Sequence, residues 1–226
     1  HYRFNLDRMC AATKGAGVPM ILMNPAENLR GQTPFKSEHR AGLTEDERDL
    51  FYQHLAEGRP NEALKIDDLH ADAHYQFAKK LEVEGDMSAA LGAYVRAKDE
   101  DVCPLRMLES MHAIVKEVAK RHQVDLVDVR KEIEVVALGG IPGNPEFLDH
   151  VHPTIGGHQF FAKLLFEKMD AMGEVTIPSE KWMTEVGPAL HRHTQSLGSE
   201  YFRQGEVRLE NLRQWARGRS TRDPPV

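Results

Sequence analysis

Apolar residues recur with two different periods along the chain, and together they predict alternating strands and helices. Short apolar runs at 18–23 and 124–129 are typical of buried strands. A helical spacing lies between them in the segment 107–122, at Leu108, Met111, Ile114, Val115 and Val118. Alternating helices and buried strands indicate a parallel α/β sheet. The polar segment 24–28 follows the first strand, at the edge where such sheets gather their ligands.

The segment 44–104 has a different pattern, which predicts a helical insertion between the two strands. Residues 44–47 form a capping box at the start of a helix. Residues 73–98 resemble a tetratricopeptide repeat, with a Gly-Asp turn at 85–86 between two helices. The packing positions of this unit are Phe77, Ala78, Leu81, Ala90, Tyr94 and Ala97. A degenerate unit precedes it. An ordinary helical hairpin is the alternative interpretation, because stable arrays of this repeat need three or more units.

These patterns divide the chain into four parts. Residues 1–43 and 105–175 form the α/β portion, and residues 44–104 form the helical insertion between them. Residues 176–226 are a C-terminal helical extension, whose function and core contacts the sequence does not indicate.

Composition excludes several classes of function. The chain has 226 residues and a net charge of −6, so it lacks the excess of basic residues that a general nucleic-acid binder needs. Its two cysteines, Cys10 and Cys103, are too few for a disulfide framework. No apolar run approaches the length of a membrane span. The compartment in which the protein works is not indicated.

The segment 149–156 carries the clearest candidate chemistry. Pro153 directly follows His152 and disfavours the α region there, so the imidazole is expected on a turn. Asp149, three residues earlier, can then accept a hydrogen bond from one ring nitrogen and leave the other free to take a proton from a nucleophile. A purely structural His152, bonded to a backbone carbonyl, is one alternative. Another is a metal site among Asp149, His150, His152, His158, His191 and His193.

The segment 147–158 closely resembles the last conserved block of the SGNH/GDSL hydrolases, in which Asp-x-x-His is commonly followed by Pro and then by a Gly-His that opens the final helix. The segment 18–35 also resembles the penultimate region of a branch with inserted tetratricopeptide-like helices. The resemblance implies a three-layer α/β sandwich of flavodoxin-like type, present here only as its C-terminal part. It also implies that His152 is the general base and Asp149 its orienter, in a Ser-His-Asp triad that cleaves acyl esters without a metal or other cofactor.

The chain departs from that family at the nucleophile. The Gly-Asp-Ser-like block and the early glycine and asparagine blocks of the oxyanion hole do not occur in it. The first serine, Ser37, lacks the glycine setting of a nucleophile and fits a loop hydroxyl bonded to its own backbone. We therefore expect the serine to lie upstream of His1, and this chain alone to be inactive.

The expected substrate is a small-molecule or carbohydrate acyl ester, with Asn24 and Asn28 as candidate substrate-binding residues at the end of the first strand. The alternative function is a non-catalytic interaction module. In that case the tetratricopeptide-like helices would bind a protein partner, on a degenerate hydrolase scaffold.

Overall fold

Helices dominate the fold. A computed structural model describes residues 1–176 and 181–220, and helices account for 63% of these residues against 5% for strands. The two strands are β1 (Ile21–Asn24) and β2 (Asp125–Asp128). The helices are α1 (Tyr2–Gly15), α2 (Glu45–Ala56), α3 (Pro60–Ile66), α4 (Ala71–Val83), α5 (Met87–Asp99), α6 (Glu109–His122), α7 (Val129–Val136), α8 (Ile155–Ala171), α9 (Lys181–Ser196) and α10 (Gly198–Ser220), with a short 3-10 helix at Leu138–Gly140.

The predicted three-layer α/β sandwich of flavodoxin-like type is wrong. Both predicted strands form, and they pair in parallel from Ile21 and Asp125 to Asn24 and Asp128. Across the residues that the structure describes, however, no third strand joins them. The apolar residues between the two strands follow the helical period and pack helix on helix. A sheet of two four-residue strands is too narrow to separate two layers of helices, so the layered architecture cannot form.

The small sheet is held by the helices on either side of it in sequence. One buried cluster joins α1, β1 and α6 through Cys10, Leu22, Val115, Val118 and Ala119. The second strand stops one residue earlier than predicted. Asp128 accepts a hydrogen bond from the backbone N–H of Lys131 and so caps α7, which begins at Val129.

The predicted helical insertion consists of two hairpins. In the first, α2 begins with the predicted capping box of Thr44 and Glu47. In the second, Asp86 caps α5 by accepting from the N–H of Ala89, and Gly85 turns the chain at a φ of 87°. The buried cluster of this hairpin comprises Leu29, Tyr75, Ala78, Ala90, Ala93, Tyr94, Ala97 and Ile141. The two helices and the turn between them thus form where the sequence places them. Two members of the buried cluster, Leu29 and Ile141, come from outside the insertion. That the hairpin is a tetratricopeptide repeat stays a prediction.

The chain forms two compact units, residues 1–158 and 159–226. The second unit contains α9 and α10, and it begins at residue 159, within α8, whereas the predicted extension begins at residue 176. The predictions for residues 177–180 and 221–226 lie outside the described residues. Among the helices that the structure describes, none combines the length and hydrophobicity needed to cross a membrane.

Candidate functional site

The Asp149–His152 turn is closed at its base by the backbone. Phe147 and Pro153 form an isolated antiparallel bridge, and the N–H of Leu148 donates to the carbonyl oxygen of His152 at 2.8 Å. The side chain of Phe147 is buried beneath this bridge. The turn is therefore anchored on both sides and presents its four residues as a compact loop.

Within the turn, Asp149 holds His152 through three hydrogen bonds. Its Oδ2 accepts from Nδ1 of His152 at 2.7 Å, while its Oδ1 accepts from the backbone N–H groups of Val151 at 2.9 Å and His152 at 2.8 Å. Burial alone would raise the pKa of Asp149, but these donors outweigh it and hold the pKa below its ordinary value. The carboxylate stays ionised and accepts only, so Nδ1 carries the ring proton.

The opposite side of the imidazole is open. The side chain of His152 is 71% exposed, whereas that of Asp149 is 12% exposed. Over the described part of the chain, no residue forms a hydrogen bond with Nε2 of His152. The two predicted catalytic residues thus lie together in the arrangement of a base and its orienter, with the basic nitrogen accessible.

Thr154 connects the turn to the helix that follows. Its hydroxyl accepts from the backbone N–H of Gly157 at 3.1 Å and so caps the first turn of α8. Gly157 lies in a confined place, because a Cβ at this position would come within 2.5 Å of the carbonyl oxygen of Glu146. The first turn of α8 therefore packs directly against the base of the Asp149–His152 turn.

Asn28 lies next to the turn, but its side chain is bound to the protein. It is fully buried, its Nδ2 donates to Oδ1 of Asn144 at 2.9 Å, and its Oδ1 accepts from the N–H of Gly31 at 2.7 Å. Its backbone N–H donates to the carbonyl oxygen of His150 at 3.0 Å. The structure thus gives Asn28 a role in loop architecture, and substrate binding by its amide stays a prediction.

Asn24 belongs to a different set of contacts, a buried ionic network at the end of the sheet. Its Nδ2 donates to Oδ1 of Asp128 at 2.6 Å, which fixes the amide so that Oδ1 accepts from Nδ1 of His112 at 2.7 Å. The other ring nitrogen of His112 lies 3.2 Å from Oε1 of Glu27. Burial would raise the pKa of Glu27, but contacts with His112 and Lys98 lower it instead.

This network contains the residues that come nearest to a metal site in the described part of the chain. Ligand atoms of Glu27, Glu109 and His112 lie within 4.8 Å of one another. The ammonium group of Lys98, which is fully buried, donates to Glu27 at 2.9 Å and to Glu109 at 2.6 Å. It supplies the positive charge that a metal ion would otherwise bring. The alternative metal site around His150 and the other histidines of the sequence analysis is not among the groups with metal-ligand geometry in the described residues.

A second Asp–His pair, which the sequence analysis missed, joins His39, just before the helical insertion, to Asp67 within it. Nδ1 of His39 donates to Oδ2 of Asp67 at 2.8 Å, and Nε2 of His39 lies 3.1 Å from the hydroxyl of Tyr52. This pair differs from the first because the His39 side chain is only 12% exposed and both of its ring nitrogens have partners. Its contacts indicate a structural role, joining the segment before α2 to the loop before α4.

Ser37 is also placed in a structural position. Its hydroxyl oxygen accepts from the backbone N–H of Asp72 at 2.9 Å, in the first turn of α4. This is the ordinary role that the sequence analysis favoured for Ser37, although its partner lies 35 residues away rather than in its own loop.

An open pocket lies beside the ionic network and not at the exposed imidazole. Its lining includes Glu109, His112, Lys116, Arg130 and Glu134, none of which belongs to the Asp149–His152 turn. The sequence analysis did not single out this cluster, and the Glu-x-x-His spacing of Glu109 and His112 on α6 is the one local signal that could have indicated it. No comparable signal marks Lys98 or Glu27, because they come from distant parts of the chain.

Comparison of the chain with protein-family models, with curated proteins and with solved structures found no match. The resemblance of segment 147–158 to the SGNH/GDSL hydrolases therefore stays a prediction, supported by the residues themselves.

Proposed function

We propose that Asp149 and His152 are the acid–base half of a Ser-His-Asp triad that hydrolyses acyl esters of small molecules or carbohydrates. The geometry of the turn is the main support. Asp149 holds the Nδ1 side of the ring at 2.7 Å, while most of the imidazole is exposed to solvent. By contrast, His39, whose contacts indicate a structural role, has both ring nitrogens bound and is mostly buried.

In this proposal, each residue has a distinct role. Nε2 of His152 takes the proton of a serine hydroxyl as its oxygen attacks the ester carbonyl, and then passes the proton to the departing alcohol. The lowered pKa of Asp149 keeps its carboxylate ionised, so it stabilises the imidazolium that forms in between. Water then hydrolyses the acyl-serine by the same route. The serine is proposed to lie outside the described residues, since Ser37 is engaged with α4.

The test measures ester hydrolysis by the complete native polypeptide that contains this sequence, with Asp149→Asn and His152→Ala as variants. We expect either variant to lower kcat/KM for 4-nitrophenyl acetate by about 10³- to 10⁴-fold, because the base is lost or held in the wrong tautomer. A fluorophosphonate probe, which reports an activated serine, should label the wild type and label both variants far more slowly.

A matched control is the Asp7–His122 pair, whose side chains lie 2.8 Å apart at the surface of α1 and α6. Asp7→Asn and His122→Ala remove the same functional groups and should leave turnover within about twofold, since this partly buried pair makes no hydrogen bond to the Asp149–His152 turn. Undiminished turnover in Asp149→Asn and His152→Ala contradicts the proposal. So does a wild-type protein with neither turnover nor labelling.

The interaction-module alternative has less support from the contacts. The second hairpin of the insertion packs its apolar residues against Leu29 and Ile141 of the same chain. Tyr75 of α4 also donates its hydroxyl hydrogen to the carbonyl oxygen of Arg30 at 2.7 Å. This face of the hairpin is used within the protein, which favours a supporting role over a docking role.

A further inference from the structure

A short series of hydrogen bonds connects the buried Arg106 with the Asp149–His152 turn. Nη1 of Arg106 donates to the carbonyl oxygens of Asn28 at 3.0 Å and Gln32 at 3.1 Å. The N–H of Asn28 donates in turn to the carbonyl oxygen of His150, and Nε2 of His150 donates to the carbonyl oxygen of Thr33 at 3.3 Å. The segment 28–33 therefore lies between the guanidinium and the turn, with bonds to both.

Part of the buried guanidinium of Arg106 has no hydrogen-bond partner in the described part of the chain. Arg106 is 5% exposed, and its Nε and Nη2 have no hydrogen-bond partner among the described residues. Burial lowers the pKa of Arg106, which shows that its surroundings disfavour the charge, although Asp101 and Glu27 offset part of the effect. Unmatched N–H groups on a buried cation are unfavourable for the stability of a fold. The effect of Arg106 that the contacts do support is on conformation, because Nη1 fixes two backbone carbonyls of the segment 28–33.

The helical insertion holds the same segment from another direction. Besides the bond from Tyr75 to the carbonyl of Arg30, the guanidinium of Arg30 forms an ion pair with Glu82 of α4 at 2.8 Å. Gly31 has no room for a side chain, because a Cβ there would lie 2.0 Å from Oδ1 of Asn144. The segment 28–33 is thus confined on several sides, and Arg106 brings a buried charge to its backbone carbonyls.

We propose that Arg106 is a positioning residue for the Asp149–His152 pair, acting through the segment 28–33 and the backbone of His150. The inference rests on the proposed function of that pair. Arg106 does not touch the reacting atoms. It fixes the backbone on which Asp149 meets the ring of His152, so that the pair is aligned before substrate binds.

The experiment uses ¹⁵N-labelled histidine and NMR to follow the Nδ1–H proton of His152, whose bond to a carboxylate gives a distinct downfield signal. In Arg106→Met we expect this signal to broaden or vanish, and kcat of the complete protein to fall about tenfold with KM nearly unchanged. The corresponding signal of His39 with Asp67 should stay in place, as an internal measure of folding. Arg40→Met is the matched control, since Nε of Arg40 donates to the carbonyl oxygen of Ile66 at 3.2 Å, away from the turn.

Arg106→Lys keeps the charge on a shorter side chain that lacks the planar guanidinium, so its ammonium group is not placed where Nη1 lies. It carries the test if the methionine variant does not fold. We expect a broadened His152 signal beside an intact His39 signal, and a kcat between those of wild type and Arg106→Met. A sharp, unshifted His152 signal in whichever variant folds overturns the role of Arg106.

Asp149→Asn separates the two levels of inference. If it abolishes the His152 signal while the Arg106 variants do not, only the positioning role fails. If the His152 signal survives in Asp149→Asn, the Asp–His pair itself is absent from solution and the proposed function fails with it.

Discussion

Gly157 offers a direct test of how closely the first turn of α8 packs against the candidate site. A Cβ at this position would lie 2.5 Å from the carbonyl oxygen of Glu146 and 2.9 Å from Cβ of Pro153. Both neighbours are held in place, because the Glu146 carbonyl accepts from the N–H of Thr154 and Pro153 pairs with Phe147. Gly157→Ala must therefore displace backbone rather than a flexible side chain.

The expected effect combines two opposing contributions. Overpacking costs about 1–3 kcal/mol, and replacing a helical glycine with alanine returns about 1 kcal/mol. We therefore expect Gly157→Ala to lower the free energy of unfolding by up to about 2 kcal/mol. The neighbouring Gly156 is the matched control, since a Cβ added there would have Oγ1 of Thr154 as its nearest neighbour at 3.8 Å, an ordinary contact. Gly156→Ala should gain about 0.5–1 kcal/mol.

Urea unfolding followed by far-ultraviolet circular dichroism measures both changes. The two alanine variants should differ by about 2 kcal/mol at equal dependence on urea. In Gly157→Ala the NMR signal of the His152 Nδ1–H should also shift, because the base of the turn moves. Equal stability of the two variants, with an unshifted signal, would refute the close packing of the first turn of α8 against the Asp149–His152 turn.

Two further predictions concern buried ionisable groups. His70 caps α4 by accepting from the N–H of Ala73, and burial, aided by the nearby His39, lowers its pKa from 6.5 to about 4. As pH falls, the unfolded state therefore takes up a proton at His70 at a higher pH than the folded state does. Between pH 6.5 and about 4 the wild type should lose about 3 kcal/mol of stability through this group. The variant His70→Asn should not show this loss, and urea unfolding across the same pH range measures the difference. Lys98→Met leaves the buried Glu27 without its ammonium partner and should cost about 3 kcal/mol at pH 7. The same substitution at the exposed Lys79 should cost almost nothing, and equal losses at both positions would contradict the ionic network.

Local patterns in the sequence predicted the local features correctly. The run at 124–129 contains β2, the run at 18–23 overlaps three of the four residues of β1, and the turn at 85–86 lies between α4 and α5. The meeting of Asp149 with His152 also follows from local chemistry, because Pro153 restricts the backbone three residues after the carboxylate. In each case the deciding interactions lie within a few residues of one another, where spacing and turn chemistry determine the geometry.

Local patterns do not determine the number of strands in the sheet, nor which residues meet from distant parts of the chain. Two strand-like runs are compatible with a wide sheet or a narrow one, and only the helical packing of the intervening residues limits the sheet to two strands. Lys98 meets Glu27 across 71 positions of sequence, and Arg106 meets Asn28 across 78. Nothing in the neighbourhood of either residue indicates its partner. Asn24 and Asn28 were singled out for their place after a strand, and that place is equally suited to binding the protein's own loops.

The parallel pairing of β1 with β2 has a consequence for the order of folding. The hydrogen-bond partner of Asn24, Asp128, lies 104 residues later in the sequence, and the partner of Asn28, Asn144, lies 116 residues later. The helical hairpins between them close over short distances and form rapidly, whereas contacts between distant segments must first overcome the entropy of a long loop. During synthesis, β1 has no strand to pair with until β2 has emerged. We therefore expect the Asp149–His152 turn to gain its supporting contacts in the last stage of folding, so that a partly folded chain holds its helices but not its candidate site.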